Sequence, residues 1–251
     1  MTVEVIRAAP LEDMPHGFLG RRGGVSEGVV AGLNVGSGSD DDPAAIAENI
    51  RLACEAVLPG AALARVFQIH SAICVVAEPW PIDRRPRADA LVTDRPGLLL
   101  GIVTADCAPV LFADREAGVI GAAHAGWRGA IDGVTDATII AMERLGGRRE
   151  RIVAAVGPCI AQASYEVDEG FRARFLAADP ANARFFQDRP TPHFDLETHV
   201  LARLHSAGIA SATGVGLDTY PDDDRFFSYR RATHNGEADY GRQFSLIGLA
   251  P

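Results

Sequence analysis

Apolar positions fall into two rhythms along the chain. One recurs every three or four residues and predicts helices. Asp42-Pro43 makes a cap and first-turn pair, after which Ile46, Ile50, Ala53 and Val57 share one face. Ile131, Val134, Thr138, Met142 and Leu145 form a second stripe that stops at Gly146-Gly147. A third runs from Asp195 to Ala207, with Leu196, Val200, Leu201 and Leu204 inside and Gly208 as its stop. The other rhythm is a short, nearly unbroken apolar run, which predicts buried strands. Such runs occur at Leu63–Ile69, Ile73–Ala77, Leu98–Thr104, Val110–Ala113, Val119–Ala123, Ile152–Val156 and Ser211–Leu217, with weaker ones near both ends of the chain. Strands outnumber helices and often follow one another directly, so the pattern predicts an α+β layered fold and not a doubly wound parallel sheet. The loosest stretches (36–42, 78–87 and 233–240) are short enough to be surface loops. The chain therefore reads as one domain, residues 1–251.

Composition narrows the chemistry. The 24 basic residues against 33 acidic ones leave a net charge of −9, which argues against a nucleic-acid binder. All 24 basic residues are arginine. A chain without lysine has no Schiff-base or P-loop lysine, so an anionic substrate must be held by arginine, backbone N–H groups or a metal. No GxGxxG follows a first strand, and a dinucleotide cofactor has no support. The most apolar stretch, Gly97 to Phe112, is interrupted by Asp106 and predicts no membrane span. The N-terminus lacks the apolar core of a signal peptide, and Cys54, Cys74, Cys107 and Cys159 contain no CxxC pair. These features predict a soluble cytoplasmic protein with reduced thiols.

Three reactive side chains stand at or just beyond the ends of apolar runs: His70, Cys107 and His124. If the strands share a sheet and run the same way, these ends converge. Two imidazoles and a thiolate suit Zn²⁺ or copper, and three protein ligands leave a position open for water or substrate. The same residues also satisfy a metal-free cysteine–histidine dyad, or, taken singly, a buried thiol and two satisfied histidines. Cys54 and Cys74 sit in apolar repeats and read as packing, and Cys159 reads as structural. After His124, Ala125-Gly126-Trp127-Arg128-Gly129 forms a glycine-bearing turn into the second helix. Free N–H groups and the Arg128 guanidinium there could hold an anion, or the glycines could simply shape a tight turn. Arg22-Gly23-Gly24 repeats the theme, with a solvated loop as its plain alternative. Glu166 is a candidate general base or a solvated carboxylate. Arg225-Phe226-Phe227-Ser228-Tyr229-Arg230-Arg231 could stack a purine or close the core.

Taken together these segments resemble the laccase-domain family, the multicopper polyphenol oxidase-like proteins associated with purine nucleoside phosphorylase activity. The matching pieces include His16-Gly17-Phe18, Arg22-Gly23-Gly24-Val25-Ser26, Leu33-Asn34-Val35-Gly36, Gln68-Ile69-His70, Ala88-Asp89-Ala90 and Thr104-Ala105-Asp106-Cys107-Ala108-Pro109. Further on stand Ala123-His124-Ala125-Gly126-Trp127-Arg128-Gly129, Gly157-Pro158-Cys159-Ile160, Tyr165-Glu166-Val167 and Phe227-Ser228-Tyr229-Arg230-Arg231. Asp218 departs from the pattern, standing where family members often carry cysteine before threonine; it removes a second thiol but leaves the His/Cys/His set intact. The resemblance implies a layered α/β/β/α sandwich like the catalytic domain of deamidating toxins. It implies zinc or copper on His70, Cys107 and His124, and substrate or phosphate contacts from Arg22, Asn34, Arg128 and Glu166. The implied activity is phosphorolysis of adenosine, inosine, guanosine and 5′-methylthioadenosine, with adenosine deamination on the side. The substrates are then small nucleosides and phosphate, with neither nucleic acid nor membrane as partner. Editing of peptidoglycan precursors by a metal-free Cys/His hydrolase is the alternative, and a metal-holding regulatory subunit is a third. A trinuclear copper oxidase is excluded, since it needs on the order of ten histidines and the chain has 7.

Overall fold

The computed structural model describes residues 2–251. Its strands are β1 (Val5–Ile6), β2 (His16–Leu19), β3 (Ala62–Arg65), β4 (Cys74–Val76), β5 (Ala90–Thr93), β6 (Leu98–Thr104) and β7 (Ala108–Asp114). They continue with β8 (Val119–Ala125), β9 (Val153–Val156), β10 (Phe186–Asp188), β11 (Pro192–Phe194), β12 (Ser211–Gly214) and β13 (Gln243–Gly248). The helices are α1 (Pro43–Val57), α2 (Trp127–Asp132), α3 (Val134–Arg144), α4 (Glu169–Ala178), α5 (Leu196–Ser206) and α6 (Tyr229–Asn235).

Two mixed sheets form the centre, one ordered β1-β2-β13-β6-β3 and the other β12-β9-β7-β8-β5-β4. Alternate residues of the central strands serve different layers. Leu100 and Ile102 from β6 meet Leu111, Ala113, Ile120 and Ala122 between the sheets. On the outer face of the six-stranded sheet, Val110, Phe112 and Ala123 pack under Val134, Ile139 and Met142 of α3 and Leu196, Val200 and Leu204 of α5. On the outer face of the other sheet, Leu99, Phe244 and Leu246 pack under Ala53 and Val57 of α1. Both faces of each central strand are covered, which is why those strands read as continuous apolar runs and not as alternation. The result is the expected α+β sandwich of helix, sheet, sheet and helix.

Helix starts follow their sequence signals. Asp42 accepts the Ala44 N–H at 2.9 Å ahead of Pro43, and Asp195 accepts the Thr198 N–H at 3.0 Å. The second predicted stripe is not one helix. Gly133, at φ 93°, takes a left-handed conformation that ends α2 and begins α3, so Ile131 and Val134 lie on separate helices. Four predicted strands are shorter than their apolar runs: β3 ends at Arg65 and β12 at Gly214, β4 keeps only Cys74–Val76, and β9 begins at Val153. Strand β5, helices α4 and α6 and the β10–β11 hairpin were not predicted, because each is short or weakly patterned. Among the described residues no helix is long and apolar enough to cross a membrane.

Candidate active site and metal centre

The three candidate residues come together, but not by the route the sequence suggested. Strands β3 and β6 belong to one sheet, whereas β7 and β8 belong to the other. Cys107 lies in the three-residue link that carries the chain from β6 to β7, and His70 lies in the link from β3 to β4; both links pass from sheet to sheet. His124 stands near the end of β8. The site is thus assembled at one end of the sandwich, where two crossovers meet a strand terminus. Two of the residues involved adopt positive φ, His70 at 59° and Asp106 at 83°. Such angles are costly for non-glycine residues and persist where the surroundings over-determine them.

Those surroundings are two buried aspartates. Asp89 is fully buried immediately before β5, where its carbonyl accepts the His124 N–H at 2.7 Å. Its carboxylate accepts the His124 Nδ1–H at 2.8 Å, the backbone N–H of His70 at 2.9 Å, and the N–H and hydroxyl of Ser71 at 2.6 and 2.8 Å. One side chain therefore fixes the His124 tautomer and shapes the loop that presents His70. Asp106 accepts the Thr219 hydroxyl at 2.7 Å and the Arg230 N–H at 2.7 Å, tying the Cys107 link to the start of α6. The signal in the sequence was an acid inside an apolar run, Ala88-Asp89-Ala90-Leu91-Val92, whose burial demanded a partner.

The ligand atoms of His70, Cys107 and His124 lie within 4.8 Å of one another, and the two imidazole rings are 4.8 Å apart at 77°. Tetrahedral zinc with two nitrogens and one sulfur requires ligand separations of about 3.3–3.7 Å, so small side-chain adjustments close the set. The donor set fits: Asp89 engages Nδ1 of His124, leaving Nε2 for the cluster, as is usual for metal-bound histidine. Gly126 keeps the space open. A Cβ there would stand 3.0 Å from Cys107 Sγ, 3.1 Å from His70 Cδ2 and 3.5 Å from His124 Nε2. That close approach gives a steric reason for glycine at this point.

The electrostatics match. Burial alone would raise the Cys107 pKa, but the His124 charge and hydrogen bonds from both histidines outweigh it and bring it down to about 7. Burial would lower His124, but the Cys107 thiolate and Asp89 together raise it. In the metal-free chain both shifts favour the thiolate beside a protonated imidazole, and a metal on Nε2 would take the place of that proton. By contrast, burial pushes Cys54 up to about 11 and Cys74 up to about 12, and holds Cys159 well above the ordinary thiol range, so all three are inert thiols.

The cluster opens into a cavity of about 580 Å³. Arg65, Arg85 and Arg242 line it, with Phe67, Tyr229 and Tyr240 as its aromatic wall, and none of its described lining residues is acidic. Arg128 is not among the lining residues: it is exposed, with its guanidinium 5.0 Å above the Trp127 ring. Arg22 is exposed and paired with Glu4 at 3.4 Å, and Glu166 is exposed in a separate hollow beside Trp127. Asn34 is buried and acts at one remove. Its Oδ1 accepts the N–H groups of Gly36 and Arg242 at 3.0 and 2.9 Å, which positions two parts of the cavity wall.

Known proteins share this architecture. A Neisseria meningitidis protein of the DUF152 family superposes with a TM-score of 0.87 at 33% identity, covering 100% of both chains. YlmD from Geobacillus stearothermophilus gives a TM-score of 0.88 at 26% identity, covering 100% of this chain and 97% of that one. A Deinococcus radiodurans protein named purine nucleoside phosphorylase is 43% identical over 245 residues, 96% of this chain and 91% of that protein. Escherichia coli YfiH, also named a purine nucleoside phosphorylase, is 34% identical over 233 residues, 91% of each chain. Residues 15–250 match the family described as multi-copper polyphenol oxidoreductase laccase, and with its two-sheet frame and His/Cys/His cluster the chain belongs to that family.

Proposed function

We propose that the protein is a metal-dependent purine nucleoside phosphorylase. The observation that carries this reading is one cavity joining the His70, Cys107 and His124 cluster to three arginines with no acidic lining residue. In a chain of net charge −9, such a pocket favours an anionic reactant. Its volume of about 580 Å³ suits a nucleoside with phosphate beside it. The names of the relatives support the same activity.

In the reaction a phosphate oxygen forms a bond to C1′, the C1′–N9 bond breaks, and the purine leaves carrying a proton on its ring. Arginines hold and orient the phosphate by paired N–H donation. The Phe67, Tyr229 and Tyr240 rings offer faces for the purine. Asp89 and Asp106 hold the reactive cluster in place. Zn²⁺ or copper, bound by His70, Cys107 and His124, would supply Lewis-acid polarisation of a substrate or water oxygen. Adenosine, inosine, guanosine and 5′-methylthioadenosine are the substrates of this reading, and adenosine deamination is its side reaction. The anion-binding role expected of Arg22 and Arg128 passes here to the arginines of the cavity.

A second reading, a metal-free hydrolase acting on peptidoglycan precursors, draws on the Cys107–His124 thiolate–imidazolium pair. One experiment separates the two. Protein purified anaerobically is assayed for metal, then incubated with inosine or adenosine with and without phosphate, before and after chelation. Base and ribose 1-phosphate formed only with phosphate and only in the metal-bound protein is the expected result. Base release that ignores phosphate, or activity that survives complete metal removal, would overturn it.

A further inference from the structure

Arg65 is the last residue of β3 and is only 7% exposed. It shares a strand face with Leu63, on the side of the sheet that α1 covers, and its guanidinium lies 5.8 Å from the Phe244 ring. No carboxylate pairs with it among the described residues, and its Nη1 has no hydrogen-bond partner there. Burial lowers its pKa to about 10, a sign of how poorly the protein itself compensates this charge. A buried guanidinium without a counter-charge is costly unless something else provides one. Thr104, 3% exposed, also contributes to the cavity wall, and its buried hydroxyl has no partner among the described residues.

Arg242 lines the cavity as well, and it is held in place. Its backbone N–H donates to Asn34, its guanidinium lies 4.2 Å from the Tyr240 ring, and Gly36 leaves the room its side chain occupies. Among the described residues neither guanidinium has a carboxylate partner, and Arg242 Nη1 donates only to the Tyr240 carbonyl at 3.3 Å. Planar guanidinium groups match the tetrahedral oxygens of phosphate by two-point donation.

We infer that Arg65 and Arg242 form the orthophosphate subsite of the cavity, with Arg65 the principal anchor. This rests on the phosphorylase reading for its catalytic meaning but not for its binding chemistry, which is tested directly. The same forks would accept the phosphomonoester of a nucleotide, so the experiment carries both probes.

Orthophosphate binding to the full chain is measured by calorimetry for wild type, Arg65→Met and Arg242→Met, with adenosine 5′-monophosphate as the competing probe. Where activity is present, KM is determined separately for phosphate and for inosine. We expect orthophosphate to bind wild type and to lose tenfold or more in affinity in Arg65→Met, with a smaller loss in Arg242→Met. The phosphate KM should rise in parallel while the inosine KM stays within about twofold. Orthophosphate affinity and phosphate KM unchanged in Arg65→Met overturn the assignment. Binding of the monophosphate that orthophosphate cannot displace also overturns it, in favour of a phosphomonoester subsite. If Arg65→Met fails to fold, Arg65→Lys retains charge and loses the fork; an unchanged phosphate KM there refutes the anchor role. Wild type that binds orthophosphate through Arg65 yet does not phosphorolyse nucleosides would retain the subsite and reject the phosphorylase reading.

Discussion

Asp89→Asn isolates what one carboxylate contributes to the assembly of the site. The substitution keeps shape and volume but removes the charge and turns one acceptor oxygen into a donor. In the native protein one oxygen faces the N–H of His70 and the His124 Nδ1–H, while the other faces the N–H and hydroxyl of Ser71. Whichever way the amide turns, a donor meets donors. The carboxylate's pKa offers a lower bound. Burial would raise it, but His124 and the Ser71 N–H hold it at about 2, below the ordinary 3.8. Held that far below its ordinary value, the carboxylate contributes roughly 2 kcal/mol of stability in its ionised form. It is present above pH 3.8 and lost as pH falls toward 2. Adding one buried donor left without an acceptor, about 1–3 kcal/mol, gives an expected loss of roughly 3–5 kcal/mol for the variant. Metal affinity should fall about 10–100-fold as well, because the His124 ring loses its orienting partner. Urea unfolding of the metal-free chain at pH 7 measures the first quantity, and chelator competition measures the second. A variant within 1 kcal/mol of wild type that also keeps its metal would refute the reasoning.

Cys107→Ala should abolish turnover and metal retention while leaving the melting curve near wild type, whereas Cys54→Ala should keep full activity with only modest destabilisation, since it trims a thiol on the α1 face; circular dichroism and product assays compare them. Gly126→Ala keeps an ordinary backbone but places a methyl 3.0 Å from Cys107 Sγ, so activity should drop at least tenfold in folded protein, and unchanged kinetics would deny the crowding. His199, 2% exposed among Phe175, Phe185 and Phe194, has its pKa lowered by burial to about 4. The folded state therefore binds fewer protons than the unfolded state between pH 6.5 and 4, and stability falls as pH drops through that window. Urea midpoints at pH 7.5 and 5 should reveal a loss of about 2 kcal/mol that is absent in His199→Leu; an equal slope in both proteins would contradict it.

Local physics was readable from the chain alone. The cap at Asp42-Pro43, the stop at Gly208 and the buried strand Leu98–Thr104 depend on neighbours in sequence, and each forms where its signal stands. The layered α+β class followed from the count and order of apolar runs, and His70, Cys107 and His124 stood out because reactive side chains sat at the ends of such runs. What the tertiary structure decided was geometry between distant segments. Periodicity cannot say that the link from β6 to β7 changes sheets, nor that this crossing brings Cys107 to His124. It continued a helix through Gly133 because a single glycine leaves the apolar spacing intact, while the left-handed φ there breaks the axis. The roles of the arginines were least legible. Arg128, beside a suggestive glycine turn, faces solvent above Trp127, whereas Arg65, at the end of an unremarkable strand, lies buried against the cavity. A side chain's environment depends on which elements pack over it, and that is settled only when residues far apart in the chain come into contact.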